Sequence, residues 1–369
     1  MYNKIIAAIF CGLIVLSIIT GIVTPDLDYS ENEKRLLAQF PEISYENFIS
    51  GELGDDTESY LADQFPGRNC WIAIKTVAER ISGKKEDSGV IFGKDGYLIN
   101  EFNEYDSRQY KTNLKAVKTL ADTLREQQGI DTKLMLIPTA AEIMTNKIPK
   151  GLPEKSQKKM IEYAGNRGID AVDLTDILKK HSDEYIYYKT DHHYTSLGAY
   201  YCYRGWKSSK GEKAKPLSCW KKTVLSDSFR GTTYSKVNYP LAPYDAITGY
   251  YINKKHKVIY NDGNYTADTI YEEKYLNSQD KYGVFFNSNQ ATTVINGNGE
   301  GNLLIIKDSY ANTFAQFVID EYSTTHMLDM RFYRGSVEDY IIKNKIDEVL
   351  FLYSVPSFAE DEYIQYCVD

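Results

Sequence analysis

The chain has little of what builds a metal knot, a nucleic-acid clamp or a disulfide scaffold. Cysteine is scarce, 5 in 369 residues, and no CxxC spacing offers a zinc site. Cys11 falls in an apolar run near the N-terminus, and Cys70, Cys202, Cys219 and Cys367 are too few to staple so long a chain. A Cys202–Cys219 bridge and isolated small core residues both fit the pattern. Positive charge is also short, with 43 Lys+Arg against 51 Asp+Glu and a formal charge of −8. That balance gives no footprint for nucleic acid, and it disfavours a strongly anionic polymer unless a local basic patch compensates. Sequence repeats and long low-complexity tracts are missing too.

What is present begins with Ile5 to Val23, an uncharged apolar stretch close to the roughly 20 residues a helix needs to cross a bilayer. Lys4 precedes it, and Asp26, Asp28 and Glu31 follow, so the positive-inside bias puts the body of the chain outside the cytoplasm. A cleaved signal peptide competes. The stretch exceeds the usual apolar core of about 7 to 15 residues, however, and no Ala-x-Ala site follows it. Residues 1–24 are therefore expected to be an uncleaved signal anchor or transmembrane helix. Residues 25–66, charged with short apolar clusters, read as an extended arm, and 67–369 as the folded domain.

That domain reads as α/β. Leu114, Val117, Leu120 and Leu124 recur at helical spacing before a strand at Lys133 to Ile137. A second amphipathic helix around Ile161 precedes a strand at Ala171 to Leu174. Strands at Leu303–Lys307, Met327–Met330 and Val349–Tyr353 alternate with helices from Tyr310 and over Val337 to Ile342. This order predicts a parallel sheet with ligands at the carboxyl ends of its strands, where Ser309, Pro138 and Thr139 fall. Residues 207–300 lack a helical period and read as an irregular, β-rich insertion. The chain holds 32 tyrosines, whose rings either stack on sugars or pack as half-exposed aromatics.

The chemistry concentrates in Asp191, His192, His193, Tyr194 and Thr195. In an extended segment Asp191 and His193 share a face, so the carboxylate can hold the Nδ1 hydrogen and leave Nε2 free. His192 then faces the other way and reads as structural. Ser309, at a strand-to-helix turn beside unpaired backbone N–H groups, supplies a candidate nucleophile. Helix capping by Ser309 is the competing account. Arg331, just past a strand, is a candidate substrate contact, which a salt bridge explains equally well.

Together these segments resemble the DHHW family, extracytoplasmic proteins related to the alginate O-acetyltransferases with an SGNH-hydrolase-like fold. The resemblance is carried by Ser30 to Arg35, Asp63 to Arg68, Gly93 to Leu98, Ile137 to Thr139, Asp191 to Thr195 and Lys307 to Asn312. It implies a parallel sheet flanked by helices and a triad of Ser309 (nucleophile), His193 (general base) and Asp191 (orienting His193), requiring no metal or other cofactor. It also implies an oxyanion hole from the Ser309 N–H and the Asn289 side chain, and substrate contacts from Thr139 and Tyr194. Two departures are Tyr194, where the family name has tryptophan, and Asn287 to Asn289, where the family carries a Gly-containing turn. The implied activity is O-acyl transfer to an exported polysaccharide, fed by a polytopic membrane-bound acyltransferase, with ester hydrolysis on the same fold as the alternative. A DHH-type metal phosphoesterase and a non-catalytic polysaccharide-binding scaffold are the rivals from other classes. The catalytic reading requires His193 Nε2 to approach Ser309 Oγ at the carboxyl edge of the sheet.

Overall fold

Leu134, Leu136, Leu304, Ile306, Val349 and Phe351 pack in one core, while Met135, Ile137, Leu303, Ile305, Leu350 and Leu352 pack in another. This odd–even division is the period-two signature of strands buried on both faces. The computed structural model describes residues 2–30, 35–102, 107–152, 156–253 and 255–368, so Glu31 to Lys34 of the N-terminal motif lie outside the described residues. Its main sheet has eight strands: β1 (Asp131–Ile137), β2 (Ala171–Val172), β3 (Val258–Tyr260), β4 (Tyr265–Ala267), β5 (Thr292–Asn296), β6 (Asn302–Lys307), β7 (Thr324–Leu328) and β8 (Glu348–Ser354).

The order is β4-β3-β5-β7-β6-β8-β1-β2. Strands β7, β6, β8, β1 and β2 run parallel, whereas β5, β3 and β4 pair antiparallel at one edge. The expected all-parallel sheet is thus a mixed one. Its antiparallel edge comes from the stretch expected to be an insertion, residues 207–300. That stretch also forms a separate hairpin, Lys221–Phe229 with Asp245–Tyr251. β7 begins and ends earlier than the expected Met327–Met330, and just past its end the Asp329 side chain accepts from Arg331.

Helices cover both faces. Ser107–Gln128 lays Leu114, Val117, Leu120 and Leu124 on one face, each buried side chain contributing roughly 1.5–3 kcal/mol. Gly129, at φ 67°, ends it in the left-handed conformation that glycine adopts without strain. Ser196–Ser209, capped by the Thr195 side chain, buries Ala199, Cys202, Tyr203 and Trp206 against the other face. Cys202 and Cys219 are both free thiols. The bridge their spacing allowed is not formed, and Cys202 instead packs as a small core residue.

The chain divides into two compact units, Met1–Ser88 with Tyr234–Leu241, and Gly89–Thr233 with Ala242–Asp369. In the first, Lys4–Val23 is a helix long and apolar enough to cross a membrane, with a mean hydropathy of 2.8. Residues 25–66 are not an extended arm. Ser44 caps a helix at Tyr45–Ser50, Gly51 turns the chain at φ 88°, and a second helix runs over Glu52–Asp63. The motif residues explain the fold-back: Asp63 takes Arg35 through both oxygens, at 2.7 and 2.5 Å, and accepts the Ala38 N–H. Gln64 exchanges two hydrogen bonds with the Leu27 backbone. The unit continues through a helix at Arg68–Ile81 to Ser88 and takes in Tyr234–Leu241.

Candidate active site

β6 delivers Lys307, Asp308 and Ser309 to the carboxyl edge of the sheet, and a short helix, Tyr310–Ala315, follows at once. Asp308 is buried and does the capping, its Oδ1 accepting the Tyr310 N–H at 2.9 Å and its Oδ2 the Ser354 N–H at the end of β8 at 2.8 Å. Ser309 makes no side-chain cap bond. Its hydroxyl lies 2.7 Å from His193 Nε2 instead. Its neighbours Lys307, Asp308 and Tyr310 are buried while Ser309 is partly exposed.

His193 sits on a bend, not a strand. The bend is closed by the Tyr187–Tyr194 bridge and by Tyr188 N–H donating to the His193 carbonyl at 3.2 Å. Asp245 holds it from below, accepting the Lys189 and Thr190 N–H groups at 2.9 and 2.8 Å and the Thr190 hydroxyl at 2.5 Å. Within the bend Asp191 Oδ1 is 2.6 Å from His193 Nδ1 and accepts the His193 N–H at 3.0 Å. Its Oδ2 accepts the Thr232 N–H and hydroxyl at 2.8 and 3.0 Å. Burial alone would raise the Asp191 pKa. The neighbouring His192 and His193 rings and these hydrogen bonds outweigh it and hold the carboxyl well below its usual range. Gly231 lies so close that any Cβ there would overlap the Asp191 carboxylate.

The bend also corrects the expectation for His192. Its ring does not face away but lies 3.8 Å from that of His193, with Nδ1 at 2.5 Å from the Thr232 hydroxyl. Asp191, His192 and His193 are the group whose donor atoms cluster within 4.8 Å. Both ring nitrogens of His193 are already bonded, to Asp191 and to Ser309, which suits proton transfer better than ligation.

Tyr282 was not singled out by spacing. Its ring stacks on His193 at 3.8 Å and 10°, and its hydroxyl donates to the Ser309 carbonyl at 3.1 Å. Asp245, Thr232 and Tyr282 come from distant segments with no local pattern to mark them. The one signal available was Lys307, a charge closing an otherwise apolar strand run.

The remaining expected site residues divide. Tyr194, expected as a substrate contact, is fully buried, and its hydroxyl donates to the Tyr310 carbonyl at 2.6 Å. Thr139 stands at the end of β1 but is engaged by Gln157, whose Nε2 donates to its hydroxyl at 2.7 Å. Arg331 grips buried Asp329 through Nε at 2.8 Å and Nη2 at 2.5 Å, which is the salt-bridge account. Asn289 follows three consecutive left-handed residues, Phe286, Asn287 and Ser288, at φ 53°, 57° and 62°. Without glycine such a turn stores about 1–3 kcal/mol per residue. The Asn289 Oδ1 accepts from Lys307 Nζ at 3.0 Å and from Asn312 Nδ2 at 3.4 Å. Its Nδ2 and the Ser309 N–H donate to no group among the described residues.

A carboxylate, an imidazole and a serine hydroxyl therefore form one hydrogen-bonded chain ending in the hydroxyl of a partly exposed residue. Such a chain can move a proton off Ser309 and return it to a leaving group.

Comparison with known proteins agrees with this architecture. A DHHW family protein from Eubacterium siraeum superposes with a TM-score of 0.65 at 23% identity, over 76% of this chain and 95% of that one. PatB1 of Bacillus cereus, solved with a sulfonyl adduct, superposes with a TM-score of 0.63 at 19% identity, over 76% and 98%. The O-acetyltransferase domain of Pseudomonas putida AlgJ lies further off, with a TM-score of 0.48 at 14% identity, over 74% and 93%. No curated protein matches the chain in sequence. The family model for DHHW proteins matches residues 73–328, most of the chain and the whole segment from the His193 bend to Ser309, and the chain belongs to that family.

Proposed function

We propose that the chain is a membrane-anchored, extracytoplasmic O-acyltransferase of SGNH-like architecture, moving an acetyl group onto a polysaccharide hydroxyl. The observation that carries this reading is the Asp191–His193–Ser309 chain, at 2.6 and 2.7 Å, with Ser309 partly exposed. Ser309 Oγ attacks the acyl carbonyl as His193 Nε2 takes its proton, and Asp191 fixes the Nδ1–H tautomer and stabilises the imidazolium. The Ser309 N–H and Asn289 Nδ2 receive the oxyanion, which accounts for two donors without partners. His193 then protonates the leaving group, and a sugar hydroxyl, deprotonated by the same imidazole, attacks the acyl-enzyme. Water in that second step makes the protein an esterase.

The apolar helix at Lys4–Val23 supports anchoring, and the charges flanking it favour a body outside the cytoplasm. Acyl-CoA is not at hand there, so a polytopic membrane-bound acyltransferase is the proposed donor partner.

The test supplies the full chain in detergent with an activated acetyl ester and follows acetyl-enzyme on Ser309 by intact mass. Label on wild type and none on Ser309→Ala is expected, with oligosaccharide acceptors accelerating loss of the label if transfer is the activity. A sulfonyl fluoride offers a second probe, given the adduct of the Bacillus cereus relative. A folded wild type that takes neither label leaves a binding or scaffolding role.

A further inference from the structure

We propose that Lys307 is a positioning residue for acyl transfer: its ammonium locks the Asn289 amide so that Nδ2, not Oδ1, meets the oxyanion. This rests on the acyl-transfer reading above and names a part of the site that the triad does not include.

Lys307 is 1% exposed, the last residue of β6 and two before Ser309. Every other inward residue of that strand from Leu303 to Ile306 is apolar, and burying an amine there is costly unless it is hydrogen-bonded. The bond it makes is to Asn289 Oδ1 at 3.0 Å. A lysine only donates, so this contact decides which end of the amide is which. Oδ1 is turned to Lys307 and Nδ2 is left for another acceptor. The ammonium is itself held in place: Asp329 Oδ2 lies 3.6 Å away, and Arg331 pins that carboxylate through two nitrogens. Burial lowers the Lys307 pKa while Asp329 works against that, as expected for an amine kept beside its counter-ion.

The left-handed turn at Phe286, Asn287 and Ser288 gives the arrangement a reason to exist. A strained backbone leads into Asn289, and an amide at its end can rotate by half a turn at little steric cost. An Asn289 so flipped would aim a carbonyl oxygen at the developing negative charge. Lys307 removes that state, and polarises the remaining N–H groups toward stronger donation. The expected salt-bridge role of Arg331 and the oxyanion role of Asn289 thereby become two ends of one network.

The rival is that Lys307 only neutralises Asp329. A double-mutant cycle on acetyl-ester turnover separates the two, using the full chain in detergent with melting curves to confirm folding. Asn289→Ala is expected to lower kcat about 10²–10³-fold, and Lys307→Met about 10–100-fold with KM within about twofold, as for other residues supporting a catalytic group. The double variant should be no slower than Asn289→Ala alone. A folded Lys307→Met with wild-type kcat, or losses that multiply in the double variant, overturns the proposal. Should Lys307→Met not fold, Lys307→Leu, which likewise removes the N–H donor, takes its place in the cycle. An inactive wild type overturns the acyl-transfer reading, and the positioning is then judged on the Asn289 side-chain amide resonance in ¹⁵N-asparagine-labelled protein. A resonance displaced by the Lys307 substitution upholds it, and an unmoved one refutes it.

Discussion

Replacing Asp191 by asparagine probes the site where its hydrogen bonds leave least freedom. Oδ1 faces two N–H groups of His193, and Oδ2 faces the Thr232 N–H and hydroxyl. An asparagine must put its NH₂ on one side or the other. On the His193 side it opposes the backbone N–H and forces the imidazole to accept at Nδ1, so that Nε2 carries the proton and no longer takes one from Ser309. On the Thr232 side it opposes the Thr232 N–H while the hydroxyl rotates to accept, and the tautomer survives. In that case the charge is lost, and the imidazolium forms without a bond worth about 1.5–3 kcal/mol, roughly 10- to 150-fold in rate. The tautomer-flipped case costs about 10⁴-fold, as in serine-protease triads. Asp191→Asn should therefore lower kcat for an activated acetyl ester by between these limits, with KM little changed. Each orientation also leaves one backbone N–H opposed, so a loss of about 1–3 kcal/mol in stability accompanies it. A folded Asp191→Asn protein that keeps more than half of wild-type kcat would refute the role assigned to the carboxylate.

Three further outcomes are expected. Gly231→Ala drives a methyl group into the Asp191 carboxylate, so denaturant unfolding should show a loss of about 1–3 kcal/mol and ester turnover should fall with it; unchanged turnover would mean the contact is slack. Burial pushes the His326 pKa from 6.5 down to about 4. The unfolded chain then binds its proton first, so stability is full above pH 6.5 and declines as the pH falls toward 4, by up to roughly 3 kcal/mol. His326→Gln should flatten that part of the unfolding-versus-pH curve, and an unaltered slope would assign it to other groups. Ser288→Gly relieves a left-handed residue at φ 62°, so the melting temperature should hold or rise by an amount equivalent to about 1 kcal/mol; a clear fall would show that the Ser288 side chain, not the backbone, matters there.

What could be read from the sequence was what short-range spacing encodes. Asp191 and His193 are two residues apart, Ser309 follows an apolar run, and the helix face of Leu114, Val117, Leu120 and Leu124 repeats cleanly. The two-residue rule gave the Asp191–His193 pairing, yet it assumed an extended strand. Asp245, distant in sequence, folds the segment into a bend and turns His192 toward His193. The antiparallel edge escaped notice because β3 and β4 are only three residues each, too short to show a period. The helices within residues 25–66 were hidden for a different reason. Glu52–Asp63 has no buried residue, so it lacks the apolar stripe by which helices are recognised, and the Arg35–Asp63 ion pair draws the segment back. Tyr282, one of 32 tyrosines, could not be told from the others until its ring was seen against His193.

His193 and Ser309 are 116 residues apart in the chain, and Asp308, beside Ser309, is tied to Ser354 at the end of β8, 46 residues beyond Asp308. No fragment ending before Ser354 contains every contact that places Ser309. During synthesis the hydrogen-bonded geometry around Ser309 therefore forms only once almost the whole chain has been made. A covalent label on Ser309 accordingly counts finished molecules rather than polypeptide. Its yield per milligram would serve as a direct measure of folding fidelity for any variant of this chain.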